Sequence, residues 1–244
     1  MKYKIIITAG GTSERIDNVR KITNSSTGKL GVVIANKIME LKGDEIEKIY
    51  YIASKTALKP SHEKIEIVEI IDTNDLKIAV DKLLTTEKID YFIHSMAVSD
   101  YTVDFVTTAK RIIDTIENNK KLSLYDNITD KSNAIIATKI SSYEDDLMIK
   151  LKRTPKIISM IKDLSPKTYL VGFKLLDGVT KDELIDVATK LKNKNKCDLV
   201  VANDLSNIRN GNHLAYIIGE DDYIEASGKE DIAEKLINEM MIYD

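Results

Sequence analysis

The chain is poor in several things, and each shortage excludes a class of protein. One cysteine, Cys197, stands among 244 residues, so no internal disulfide can form, and with only three histidines no metal-ligand spacing is assembled. Three prolines, spread along the chain, leave no convincing linker. Apolar runs such as Lys4 to Thr8 and Tyr50 to Ala53 are strand-sized, far short of the roughly 20 residues that cross a bilayer. The N-terminus enters a strand almost at once, with no apolar signal segment. Positive charge is not in surplus either. Lys and Arg number 36 against 39 Asp and Glu, a net charge of -3, where a nucleic-acid binder needs a cationic face to track phosphates. The expected protein is cytoplasmic, crosses no membrane and binds no nucleic acid.

What is present is a 43% apolar, 31% charged chain, long enough for one full globular core. Strand-like runs at Lys4 to Thr8, 47–53, 65–71 and Tyr91 to Met96 are separated by helical patterns. The first covers Gly28 to Leu41, where Leu30, Val33, Ile34, Ile38 and Leu41 recur on one face; the second covers roughly Asn74 to Leu84 behind a Thr/Asn cap. Such alternation predicts a Rossmann-like, mostly parallel α/β sheet flanked by helices. After Met96 the pattern breaks. A helix is expected at Val106 to Asn118, then a polar stretch over 127–138, and the whole of about 102–138 reads as a flexible flap within a single domain of 1–244. Regular structure resumes at Leu147 to Lys152, a helix from Pro155 to Leu164, a strand at Tyr169 to Lys174, a helix over Lys181 to Lys192 and a strand at Leu199 to Ala202. An antiparallel hairpin, Ala215 to Ile218 and Tyr223 to Ala226 around the turn Gly219 to Asp222, precedes a closing helix from Glu230 to Met241.

In open α/β sheets ligands collect at the carboxyl ends of the strands. After the first strand come Gly10, Gly11 and Thr12, then Glu14, Asp17, Arg20, Asn24, Ser25, Ser26, Thr27 and Gly28, leading into a helix N-terminus. Glycines admit an anion, hydroxyls and N–H groups bind it, and the helix dipole favours it, although the same residues also make an ordinary polar loop with a cap. A dinucleotide fingerprint is missing, since Gly28 and Gly31 come about twenty residues late and the second strand ends Ala53-Ser54-Lys55 without a carboxylate. The Walker phosphate loop fails because Leu30 follows Gly28-Lys29. Arg20 suits phosphate or carboxylate, or an ion pair with Asp17; Asn24 suits a developing oxyanion, or a plain loop. Asp100 can hold a sugar hydroxyl or base edge, or cap a helix. Lys139 can close over a triphosphate, or be a solvated charge. Cys197 reads as a small buried filler and His94 as a packed residue, while His62 and His213 have no triad partners.

Residues 7–31, ITAGGTSERIDNVRKITNSSTGKLG, closely resemble the signature of phosphopantothenate cysteine ligase, the phosphopantothenoylcysteine synthetase of coenzyme A biosynthesis, and the short form resembles its stand-alone streptococcal and enterococcal type. The similarity continues through MAVSDY (96–101), KISSYEDDLMIKLKRTPKII (139–158), LVGFK (170–174) and CDLVVAND (197–204). The resemblance implies a homodimer that joins 4'-phosphopantothenate to L-cysteine, with CTP favoured over ATP as co-substrate and Mg²⁺ as cofactor. It implies that Asn24 and Arg20 act on the acyl-nucleotide, Lys139 covers the triphosphate, and Ser26 and Gly28 join them around the substrate. Gly10, Gly11, Thr12, Met96, Ala97, Asp100, Pro155, Lys156, Ile157, Ile158 and Phe173, with Lys190 and Lys194, are the implied nucleotide contacts. No resident metal ligand is implied.

Three departures stand out. No decarboxylase segment precedes the first strand, so a separate decarboxylase is expected to act next. Ile140-Ser141-Ser142 replaces a lysine-rich run, and Gly172-Phe173-Lys174 is closer to ATP-using members. Two other classes stay open: a nicotinamide-dependent reductase and a non-catalytic nucleotide-binding module.

Overall fold

A computed structural model describes residues 2–210, 213–220 and 222–241. Its elements run β1 (Tyr3–Ala9), β2 (Ser13–Arg15), β3 (Lys21–Thr23), α1 (Lys29–Lys42), β4 (Ile46–Ser54), β5 (Ile65–Ile70), α2 (Thr73–Thr86) and β6 (Tyr91–His94). Then come β7 (Tyr101–Thr108), α3 (Ala109–Asn118), α4 (Leu124–Thr129), β8 (Leu147–Arg153), α5 (Ile157–Leu164), β9 (Tyr169–Leu176) and α6 (Lys181–Asn195). The chain continues through β10 (Leu199–Asp204), α7 (Leu205–Arg209), β11 (Leu214–Ile218), β12 (Tyr223–Ser227) and α8 (Lys229–Met241). The chain divides into two compact units, one of Met1–Thr12, Ser25–Val98 and Lys156–Asp244, the other of Ser13–Asn24 and Ser99–Pro155.

The first unit is built on an eight-stranded sheet in the order β12-β11-β10-β9-β6-β1-β4-β5. From β5 to β10 all neighbours are parallel, and β11 and β12 close the edge as the antiparallel hairpin that the sequence pattern predicts. Along β1 the side chains alternate between two cores, as a pleated strand requires. Ile5, Ile7 and Ala9 join Ile34, Ala35 and Ile38 of α1 and Ile232, Leu236 and Ile237 of α8. Ile6 faces the other way, with Leu76 and Val80 of α2, Ile161 of α5 and Leu184 and Ala188 of α6. Helices on both faces explain why the parallel strands read as continuous apolar runs.

The second unit pairs β2 with β3 and β7 with β8, both antiparallel. Here the local sequence reading is corrected. The helix expected from Val106 starts at Ala109, because Val106, Thr107 and Thr108 pair with Ile149, Met148 and Leu147. Every residue of β7 except Asp104 is β-branched or aromatic, a composition that favours strand. Thr108 then ends the strand and caps α3, its Oγ1 accepting from Arg111 N at 3.3 Å. Where the sequence pattern predicts plain loop, β2 and β3 form a hairpin of three-residue strands. Helix α2 is capped by Asp72, which accepts from Asp75 N, and not by the Thr or Asn that follows. The strand expected to reach Met96 stops at His94. In the turn at Gly219 to Asp222, Asp221 lies outside the described residues; Gly219 N donates to Asp222 O at 3.0 Å.

Candidate active site

Within the first unit the parallel strands, taken in chain order as first to sixth, lie in the order 3-2-1-4-5-6, and the order reverses between β1 and β6. The crevice beyond the carboxyl ends of those two strands is where open α/β sheets bind ligands. Two loops expected to bind nucleotide meet there. Ala97 N donates to Gly10 O at 2.8 Å and Thr12 N to Ala97 O at 3.2 Å, with a parallel bridge between Gly11 and Ala97, so Gly10, Gly11 and Thr12 are bonded to the Met96-Ala97 loop. Below this seam Thr8 Oγ1 accepts from Met96 N at 3.3 Å and lies 2.8 Å from His94 Nδ1. With that N–H accepted, the hydroxyl's own proton is available to Nδ1, which suits a neutral ring. Burial pushes His94 down to about 4.

Close packing explains the glycines. Gly10 has φ 84°, and a Cβ there would stand 2.6 Å from Ala57 Cβ and 2.8 Å from Ser54 Oγ. Gly28, the αL N-cap of α1, has φ 72°, and a Cβ would stand 3.2 Å from Gly10 N. A Cβ on Gly31 would meet Ala9 Cβ at 2.6 Å, so α1 enters directly against the end of β1. Gly10, Gly11 and Thr12 are themselves buried, whereas Ser25, Ser26 and Thr27 are exposed. No side chain caps α1 at Gly28, which leaves a helix N-terminus able to attract an anion beside those hydroxyls.

The second unit holds the residues expected to act on the acyl-nucleotide. Asn24 follows β3 and is half-buried. Arg20 Nη1 donates to Asp17 Oδ2 and to Ile140 O, each at 3.3 Å, so the ion pair weighed in the sequence is formed. Asn18 N donates to Thr138 O at 3.0 Å and Ile140 N to Asp17 Oδ2 at 3.1 Å. Exposed Lys139 is thereby brought to the turn that carries Arg20. Asp100 is exposed, and its carbonyl accepts from Thr154 N at 3.1 Å while Thr154 Oγ1 donates to Ser99 O at 2.6 Å, which joins Asp100 to the segment ending in Pro155.

The remaining expected residues are scattered over the first unit. Lys156 is exposed at the N-cap of α5. Ile157 is a core residue at 2% exposure, and Ile158 packs against the same core, as Phe173 packs on the other. Lys190 is exposed and ion-paired with Asp186 at 2.6 Å. Lys194 lies in the last turn of α6, and since that helix returns from the carboxyl end of β9 to the amino end of β10, it stands toward the far end of the sheet. Neither lysine is brought to the seam between β1 and β6. Cys197 is buried behind Gly172, where a Cβ would lie 3.3 Å from its Sγ, and burial pushes the thiol up to about 12, which suits a filler and not a nucleophile. A cavity of about 550 Å³ lies at the amino ends of β1, β6 and β9, lined by Tyr3, Tyr91 and Tyr169, away from the strand ends where ligands collect. Among the described residues no group of three or more His, Cys, Asp or Glu could hold a metal ion, and no helix is long and apolar enough to cross a membrane.

The bonds made by two buried carboxylates escaped the sequence. Asp17 is not merely the partner of Arg20, and the only signal was its place three residues before that arginine. Asp204 ends β10 and accepts from Gly178 N, Val179 N and Ser206 N at 3.0, 3.1 and 2.8 Å, fixing the loop after β9; its place in CDLVVAND was visible but its bonds were not.

The family model of the DNA/pantothenate metabolism flavoprotein C-terminal domain matches residues 1–130 and 128–243. The chain belongs to this family. A DNA/pantothenate metabolism flavoprotein from Streptococcus pneumoniae has a similar structure, with a TM-score of 0.85 and 39% identity, over 99% of this chain and 100% of that one. The coenzyme A biosynthesis bifunctional protein CoaBC of Thermococcus kodakarensis is 31% identical over 239 residues, 97% of this chain and 50% of that protein. The chain thus spans about half the length of the curated relatives it matches. A Cab2 variant in complex with phosphopantothenate-cysteine shares the fold of this flavoprotein C-terminal domain, with a TM-score of 0.70 and 17% identity over 98% of this chain and 85% of that one.

Proposed function

We propose that this chain joins 4'-phosphopantothenate to L-cysteine in coenzyme A biosynthesis, using CTP in preference to ATP. Membership of the family supports the reading, and the observation that carries it is the seam at the sheet's switch point, where Gly10-Gly11-Thr12 and Met96-Ala97 are bonded together. A carboxylate is a poor electrophile. One of its oxygens therefore attacks the α-phosphorus, the bond to the β-phosphate breaks, and pyrophosphate leaves with the electron pair. The cysteine amine then adds to the carbonyl of the acyl-nucleotide, loses a proton and expels the nucleoside monophosphate. No protein nucleophile is needed, in accord with a buried neutral His94 and a buried Cys197 thiol.

What the chain supplies is position and charge. Arg20 and Lys139 would neutralise phosphate oxygens, Asn24 would donate to the acyl oxygen, and Ser26 and the N-terminus of α1 at Gly28 would receive an anionic group. Magnesium would arrive on the triphosphate and supply charge neutralisation there. The reading carries with it a homodimer, which sedimentation at twice the 27.5 kDa chain mass checks.

The test gives the protein 4'-phosphopantothenate, L-cysteine and Mg²⁺ with CTP or ATP in parallel, and follows pyrophosphate and nucleoside monophosphate. Both products are expected in equal amounts, faster with CTP; absence of both with either nucleotide rejects the ligase. Asn24→Ala is expected to retain pyrophosphate release while slowing amide formation on the order of 10²-fold, the usual loss for one oxyanion donor. Equal loss of the two steps would remove the role given to Asn24.

A further inference from the structure

We propose that Asp17 is a positioning residue for the nucleotide-activating step, holding Arg20 and the Ile140 flank of Lys139 on one buried carboxylate while the adjoining Asn18 N–H holds the Thr138 flank; this deepens the ligase reading and rests on it. The Asp17 side chain is 1% exposed. Its Oδ1 accepts from Val19 N at 2.7 Å and Arg20 N at 2.8 Å, closing the turn that presents Arg20. Its Oδ2 reaches 123 residues along the chain to accept from Ile140 N at 3.1 Å, and also accepts from Arg20 Nη1 at 3.3 Å.

Two further bonds complete the grip. Arg20 Nη1 donates to Ile140 O at 3.3 Å, and Asn18 N donates to Thr138 O at 3.0 Å. The residues before and after Lys139 are therefore both tied to the 17–20 turn, and Ile140 is anchored at 2% exposure. Lys139 is left with its backbone held and its amino group exposed. A mobile lysine pays a large rotamer and backbone entropy whenever it closes over a ligand, and anchoring the backbone removes part of that cost. The donated bonds from Val19, Ile140 and Arg20 hold the Asp17 carboxyl below its ordinary range, so the grip stays ionised at neutral pH.

Asp17→Asn separates the two halves of the device. With one amide oxygen, asparagine can keep the Val19 and Arg20 N–H groups, but its NH2 then faces Ile140 N–H and Arg20 Nη1, donors against a donor. The turn survives and the tie to 138–140 is cut. Pyrophosphate release is expected to fall on the order of 10²-fold in kcat, the scale of a small misplacement of a charged group, with KM for cysteine unchanged. Trypsin supplies a readout independent of activity. The Lys139–Ile140 bond contains the amide that Asp17 holds, so in the wild type it is expected to be cut more slowly than the bonds after exposed Lys120 and Lys121, and in the variant the difference is expected to vanish.

A variant with wild-type pyrophosphate release and wild-type resistance at Lys139 overturns the proposal. Should the variant not fold, the wild type alone decides, since cleavage at Lys139 as fast as at Lys120 means no grip exists and resistance there supports one. Wild-type protein that resists cleavage at Lys139 yet releases no pyrophosphate refutes the ligase reading and leaves the grip standing.

Discussion

At the scale of single residues, His94 is a buried imidazole kept uncharged at the carboxyl end of β6. It is buried beside Thr8, edge-on to Phe92 with ring centroids 5.9 Å apart, and burial lowers it from 6.5 to about 4. The unfolded chain therefore binds a proton below about pH 6.5 that the folded chain refuses until about pH 4. The stability from a neutral His94 is present in full above pH 6.5 and is lost as pH falls to 4, on the order of 3 kcal/mol across that window. His213, lowered by its own burial and by Lys229, adds a slope of the same sign. Urea unfolding of His94→Asn at pH 7.5 and 4.5 is expected to show a smaller loss between the two than the wild type. An equal loss would mean that burial does not hold the imidazole neutral. The burial of Cys197 and His94 is legible in the sequence, because places on or beside apolar strands predict packing. The reach from Asp17 to Ile140 was not legible, because nothing local links residues 123 positions apart.

At the scale of elements, the pairing of β7 with β8 contains a bulge. The register shifts between Val103 and Phe105, leaving Asp104 without a cross-strand partner. Its carboxylate, 7% exposed, meets Lys150 at 2.7 Å, Lys131 at 3.0 Å and Lys152 at 3.5 Å. Lys150 and then Lys131 hold it well below the usual carboxylate range. A depressed carboxyl stabilises the fold in full above its unfolded value near 3.8 and loses that contribution gradually as pH falls from there to its lowered folded value. Asp104→Asn is expected to cost about 1–2 kcal/mol at pH 7, discounted because the lysines are largely solvated, and to cost progressively less as pH falls below the unfolded value near 3.8 toward the much lower folded one. A pH-independent cost in thermal unfolding would assign the effect to packing. The helix expected from Val106 failed here for the same reason that β7 exists: apolar residues at its end satisfy either period, and the partner strand more than forty positions away decides between them.

At the scale of the whole molecule, a ligand that binds only the folded chain stabilises it by mass action. On the ligase reading, CTP at about 100 times its Kd adds about 2.7 kcal/mol, which for a chain of this size raises Tm by about 5–10 °C. ATP at the same concentration is expected to raise it less. A larger rise with ATP would reverse the nucleotide preference.

The strand and helix alternation, the buried apolar runs of the parallel sheet, the closing hairpin and the family signature over 7–31 were all determined by sequence alone, because each depends on neighbours within a few positions along the chain. Only the tertiary structure decided that Gly10 and Ala97 share a seam, that Gly31 lies on Ala9, that Lys139 is tied beside Arg20, and that Lys194 sits in the helical turn that leads to the amino end of β10. Those facts depend on pairing between distant segments, where burial and hydrogen-bond satisfaction over the whole fold select among contacts that local pattern leaves equal.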